Sequence, residues 1–140
     1  KGITSVDSVA TTYLQATPLF FSASFLRYIA PMHKTPLIVL CTVPDRDTAE
    51  EIANILIADN LAACVNIIPG ITSVYRWENR IEQAEELILF IKTGGTTYTA
   101  MQEKITDLHP YELPEIIAVP IQDGLPAYLN WLTQSLETSL

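Results

Sequence analysis

An α+β fold, a sheet backed by helices, is what the sequence predicts, and three observations predict it. Short runs of apolar and β-branched residues alternate with stretches whose apolar residues recur at helical spacing. Two long strand patterns, from Cys64 to Trp77 and from Leu87 to Ile91, adjoin with only Glu78-Asn79-Arg80 as an obvious turn-forming break. The patterns run in the order β-α-β-β-α-β, then α. That order defines the split-βαβ, ferredoxin-like sandwich: four strands, two crossover helices on one face and an extra C-terminal helix.

The first strand is Leu37-Ile38-Val39-Leu40-Cys41-Thr42-Val43, an apolar run suited to a buried position, and Pro44 ends it. A helix follows. Asp47 is placed to accept from its first free N–H groups, and Glu50 lies at the capping-box spacing. Ala49, Ile52, Ala53 and Leu56 mark its buried stripe, and Asp59-Asn60 closes it. In the hairpin, Pro69-Gly70 interrupts the first strand, because proline gives no ladder donor and glycine weakens the strand. A bend or bulge is expected there, with Ile71 to Trp77 projecting beyond the domain.

Gly94-Gly95 breaks the chain after Lys92. Thr96 or Thr97 is expected to cap the second helix, whose apolar face carries Tyr98, Met101, Ile105 and Leu108. His109-Pro110 stops it. Glu115 to Ile121 reads as the last core strand, and Asp123-Gly124 turns the chain. Pro126 opens a third helix with Leu125, Tyr128, Leu129, Leu132 and Leu136 along one side. With helices on one sheet face, the other keeps apolar side chains that the third helix covers only in part. Self-association is the expected solution.

Length and charge narrow the function. The chain has 140 residues, which suits one domain, and a formal net charge of -8, which excludes a basic footprint for nucleic acid. No uncharged apolar run reaches about 18 residues, so no membrane-spanning helix is expected. The two cysteines, Cys41 and Cys64, match no zinc or redox spacing, and free thiols in a reducing, cytoplasmic setting are expected. No nucleophile-elbow, metalloprotease, P-loop or dinucleotide motif occurs, which argues against an enzyme. The domain is expected over residues 32–140. Residues 1–31 are set apart by eight Ser/Thr and a single acid, Asp7. They read as vector-derived or upstream sequence with Met32 as the natural start, as a targeting remnant that would place the protein in an organelle, or as a true extension.

Two constellations carry chemistry. Cys41, Cys64 and His109 are the soft and borderline ligand types. Buried cysteine also behaves as a small hydrophobe, and His109 at a helix end also fits a cap on the last carbonyls. Tyr75, Trp77, Lys92, Tyr111 and Glu115 form the second set. Tyr75 and Trp77 lie two apart on one strand and so face one side. They would line a ligand pocket or inter-subunit cleft, or serve as interface packing, with Lys92 reaching a partner.

Four blocks then carry a family resemblance. They are Val39 to Asp45, Leu61-Ala62-Ala63-Cys64-Val65-Asn66-Ile67-Ile68-Pro69-Gly70, Ser73 to Glu78, and His109-Pro110-Tyr111-Glu112-Leu113-Pro114-Glu115-Ile116-Ile117. In this order and spacing the chain resembles the CutA family of divalent-cation tolerance proteins over about Thr35 to Leu136. The resemblance implies a ferredoxin-like subunit and a homotrimer. It implies a role in tolerance of copper and other divalent cations, with copper binding in some members, for which Cys41, Cys64 and His109 are the candidate ligands in this chain. The family is also similar in architecture to trimeric PII signalling proteins. That similarity leaves open a sensor that binds a small anionic metabolite at inter-subunit clefts, or a chiefly structural trimer.

Overall fold

The computed structural model describes residues 35–137. The expected extension over residues 1–31 lies outside them. The described chain is α+β, with one four-stranded antiparallel sheet and three helices.

Strand β1 (Pro36–Val43) alternates half-buried and buried residues along its length, as a strand with one face on a core must. Leu37, Val39, Cys41 and Val43 point to the core, and Ile38, Leu40 and Thr42 to the opposite face. Helix α1 (Arg46–Ala58) buries Ala49, Ile52 and Leu56, at roughly 1.5–3 kcal/mol for each large apolar side chain. Its cap is Asp45 and not Asp47: the Thr48 N–H donates to Asp45 Oδ1 at 2.8 Å, which leaves Asp47 in the first turn. That bond holds the Asp45 carboxyl below its usual range.

The helix ends on Asn60, whose φ of 55° is left-handed. The Asn60 N–H donates to the Ile57 carbonyl at 3.1 Å and the Leu61 N–H to the Leu56 carbonyl at 2.9 Å. This pair of bonds is a Schellman motif, with asparagine in the usual glycine position.

Strands β2 (Cys64–Trp77) and β3 (Arg80–Gly94) form the long hairpin. β3 starts well before the expected Leu87, because the polar stretch Arg80 to Glu86 pairs with Ile71 to Trp77 in the projecting arm. Glu78 and Asn79 make a two-residue turn, both at positive φ (45° and 62°), the type I′ pattern that matches strand twist. At Pro69-Gly70 the register shifts: Ile68 pairs with Ile88 and Ile71 with Glu86. Two residues of β2 therefore oppose one of β3, the expected bulge, and Gly70 takes φ 75°.

Helix α2 (Tyr98–Leu108) buries Met101 and Ile105 on the same core as α1. Thr97 occupies its N-cap position but makes no side-chain cap bond. Its hydroxyl donates to the Gly94 carbonyl at 3.0 Å and lies 2.8 Å from the buried Thr93 hydroxyl. Strand β4 (Ile117–Pro120) is shorter than the expected 115–121 and is not a core strand. It pairs only with β1, at the sheet edge, and all four of its residues are exposed in the single chain.

Helix α3 (Pro126–Ser135) fully buries Leu132 alone. The Leu136 methyl lies 3.1 Å from where a Cβ on Gly94 would stand, so a side chain there would push that methyl back by a few tenths of an ångström. Gly94 shares the face of Lys92 and Phe90, so α3 covers one end of the sheet face opposite α1 and α2. The rest of that face keeps Ile68, Ile117 and Val119 exposed.

The sheet order is β2-β3-β1-β4. It places the strongly apolar β1 and the inner half of β3 at the centre, and the bulged β2 and short β4 at the edges, where proline and unpaired backbone are tolerated.

Candidate functional site

His109 is the hinge of the site. It follows α2 and is nearly buried at 8% exposure. The Tyr111 backbone N–H donates to His109 Nδ1 at 3.0 Å, so that nitrogen carries a lone pair. The proton is then on Nε2, which lies 2.8 Å from the Thr42 carbonyl and donates to it. Both ring nitrogens are engaged. The contacts tie the end of β1 to the loop after α2 and set the Tyr111 ring 4.9 Å from the imidazole.

Held this way, Tyr111 reaches over the sheet, and its hydroxyl donates to Glu86 Oε1 at 2.9 Å. Burial, then this carboxylate, push the Tyr111 hydroxyl up to about 12. Glu86 pairs with Ile71, next to the bulge, and is only 7% exposed. The bulge puts Tyr75 and Trp77 on the sheet face of Glu86. Together they wall an open cleft of about 1110 Å³. Thr42 and Tyr111 line it as well. Glu86, Glu112 and Glu115 line it, and among the described residues no Lys, Arg or His does.

Four of the five expected cleft residues, Tyr75, Trp77, Tyr111 and Glu115, thus line one cleft within a single chain. Lys92 does not join them there. It lies about 20 Å further along β3, where it pairs across the strands with Cys64. Its ammonium donates to Asn66 Oδ1, lies 3.7 Å from Cys64 Sγ and sits 5.0 Å from the Phe90 ring centre. The apolar run before Lys92 gave no sign that Asn66 stands one cross-strand step away. Sequence reasoning missed Glu86 as a site residue. The available signal was its place one residue before the core-facing Leu87, so that plain alternation along β3 puts Glu86 on the opposite face, with Ile88 and Phe90.

The three candidate metal ligands do not converge. Cys41 sits in β1 opposite Leu89, and Cys64 sits in β2 opposite Lys92. Their Cα atoms are about 14 Å apart, with a strand between them. Their side chains also face opposite sides of the sheet. Cys41 is fully buried, and burial, then the Glu115 and Glu86 carboxylates, push its thiol up to about 12. Cys64 is half-buried on the open face. Among the described residues no group of three or more His, Cys, Asp or Glu side chains is placed to hold a metal ion. The described donors of one chain therefore do not fit a self-contained copper site.

The fold and cleft define a class: a small antiparallel α+β domain with a projecting hairpin arm, an uncovered apolar sheet face and an acidic, aromatic-walled cleft. The chain belongs to the CutA1 divalent ion tolerance protein family, whose model matches residues 37–135. It is 45% identical over 98 residues to the divalent-cation tolerance protein CutA of Thermus thermophilus, covering 70% of this chain and 95% of that protein. It is 43% identical over 102 residues to the protein of the same name from Escherichia coli, covering 73% and 91%. The structure superposes on the Thermus thermophilus divalent cation tolerance protein with TM-score 0.71 at 44% identity, covering 71% of this chain and 97% of that one. CutA1 from Oryza sativa gives 0.73 at 40% identity, covering 77% and 99%. Among the described residues no helix is long and apolar enough to cross a membrane.

Proposed function

We propose that this chain is a ferredoxin-like subunit of a homotrimer that supports tolerance to copper and other divalent cations by binding them, without catalysing a reaction. The family match over residues 37–135 carries the reading. The uncovered apolar face supports the assembly: Ile117, Val119 and Ile68 are 48%, 49% and 43% exposed on it, and such faces are normally buried against a partner. Cys64 lies on this same face. Its thiol is a soft donor suited to Cu(I) and the most accessible of the three candidate ligands. Cys41, buried with its thiol protonated, and His109, with both nitrogens hydrogen-bonded, are poorer donors.

Calorimetry with Cu(I), Cu(II) and Zn(II) tests the binding. Saturable copper binding that is lost in Cys64→Ser supports it. Equal binding by a chain lacking Cys41, Cys64 and His109 overturns it. Light scattering should give three times the chain mass, and a monomer at micromolar concentration would remove the trimer.

A further inference from the structure

We infer that the cleft between the hairpin arm and the loop after α2 is filled by the arm of a second copy of this chain, whose Arg76 pairs with Glu86. The inference rests on the homotrimer proposed above and adds which surfaces meet in it. Glu86 is 7% exposed and its Oε1 accepts from the Tyr111 hydroxyl, yet no Lys, Arg or His among the described residues forms an ion pair with it. A buried carboxylate normally has a cation opposite it. Here the space opposite is the cleft, whose other charged residues, Glu112 and Glu115, are acids too. One chain therefore leaves this site incomplete. The cleft is also continuous with the uncovered apolar face, because Glu86 lies on the side of Ile88 and Phe90. The same assembly covers both.

The chain carries the missing charge on another surface. Arg46 is paired with Glu50 and Lys104 with Asp59, and Lys92 donates to Asn66. Arg76 and Arg80, both on the arm, have no ion-pair partner among the described residues. Strand pairing separates them. Arg80 lies opposite Trp77 on the cleft face of the arm, whereas Arg76 lies opposite Ile81 on its back and cannot turn into its own cleft. Val74 and Ile81, which share that back with Arg76, are 65% and 74% exposed. An arginine flanked by apolar side chains complements a carboxylate flanked by aromatic rings. The apolar pair would cover Tyr75 and Trp77 while the guanidinium meets Glu86. Cleft and arm back are different surfaces, so the contact is head-to-tail. Each copy offers its arm back to one neighbour and its cleft to the other, which is the kind of contact that closes a ring.

Sedimentation of the intact chain over a dilution series, at a fixed urea concentration below unfolding, tests the pairing. Arg76→Glu, at an exposed position, should raise the concentration of half-dissociation about tenfold or more, as loss of one partner of a desolvated charge pair does. Glu86→Arg should act in the same direction. Arg76→Glu combined with Glu86→Arg should recover most of the loss, since the two charges are then exchanged. Zero-length carbodiimide coupling of the Arg76→Lys variant gives a second readout that a folding defect does not mimic. With heavy-isotope and light-isotope chains refolded together, the peptide of position 76 should be joined to the peptide of Glu86 across chains. A trimer unaffected by either reversal, equal weakening by Arg80→Glu, or coupling of position 76 only to other carboxylates would overturn the pairing and leave the trimer standing. A monomeric wild-type chain would overturn both.

Discussion

The imidazole of His109 joins two parts of the chain that are far apart in sequence: its Nε2–H donates to the Thr42 carbonyl at 2.8 Å while its Nδ1 accepts from the Tyr111 N–H. Replacing it with alanine leaves a carbonyl and an amide N–H without these partners in a nearly buried place. His109→Ala should lower unfolding free energy by about 2–3 kcal/mol. Urea denaturation at fixed protein concentration measures this. An equal loss of cleft order should appear as increased quenching of Tyr111 fluorescence.

The Tyr111 hydroxyl gives an alkaline signature. Its folded value of about 12 is above the ordinary value of 10.0, through partial burial and the Glu86 carboxylate that accepts its proton. The folded state therefore holds this proton more tightly than the unfolded state. The stabilisation is complete below pH 10 and declines as pH rises from 10 towards 12. Absorbance titration of the phenolates should show one late-ionising group that Tyr111→Phe removes. The variant should also show a shallower loss of stability over that window.

Thiol chemistry separates the two cysteines. Cys41 is fully buried, with its thiol at about 12, whereas Cys64 is half-buried. A thiol reagent at pH 8 should modify Cys64 first and reach Cys41 only as the chain unfolds, because the thiolate is the reactive form. Peptide mapping after timed alkylation assigns the order. Equal rates at both sites would contradict the burial of β1.

Gly70 should resist substitution for a backbone reason alone. A Cβ there would meet nothing within 4 Å, but its φ of 75° is unfavourable for other residues. Gly70→Ala should cost about 1 kcal/mol, and Gly70→Asn less, since asparagine tolerates the left-handed region. Thermal unfolding of both variants measures the difference.

Much of the fold was legible because its signals are local. The alternation in β1, the stripe of α1, the Pro69-Gly70 interruption and the Glu78-Asn79 turn each fix a piece of backbone by short-range physics. The α1 cap was misassigned because Asp45 and Asp47 both carry the right side chain, and only the entry angle after Pro44 decides between them. The extent of β4 was missed because Glu115 and Ile116 have strand-like neighbours but no β1 partner. The site was less legible. Types and rough grouping came through for Tyr75, Trp77, Tyr111 and Glu115. Lys92 and Glu86 were exchanged, in effect, because which stretch of β3 meets the loop of Tyr111 is set by long-range pairing and not by residue identity. Cys41 and Cys64 suggested a pair by type, but their opposite facing depends on strand order.

The bulge at Pro69-Gly70 acts as a phase shifter for the arm. Before it, the odd-numbered residues Val65 and Ile67 point to the helices; after it, Tyr75 and Trp77, also odd, point away. Side-chain facing in a strand has a period of two, so adding or losing one residue here turns every later side chain over. Loss of Gly70 alone would rotate both aromatic rings out of the cleft while leaving the arm's composition untouched. A change of two residues would shift the arm's reach but keep its handed face. The parity of this short segment, more than the identity of its residues, therefore determines whether the arm has a cleft to close.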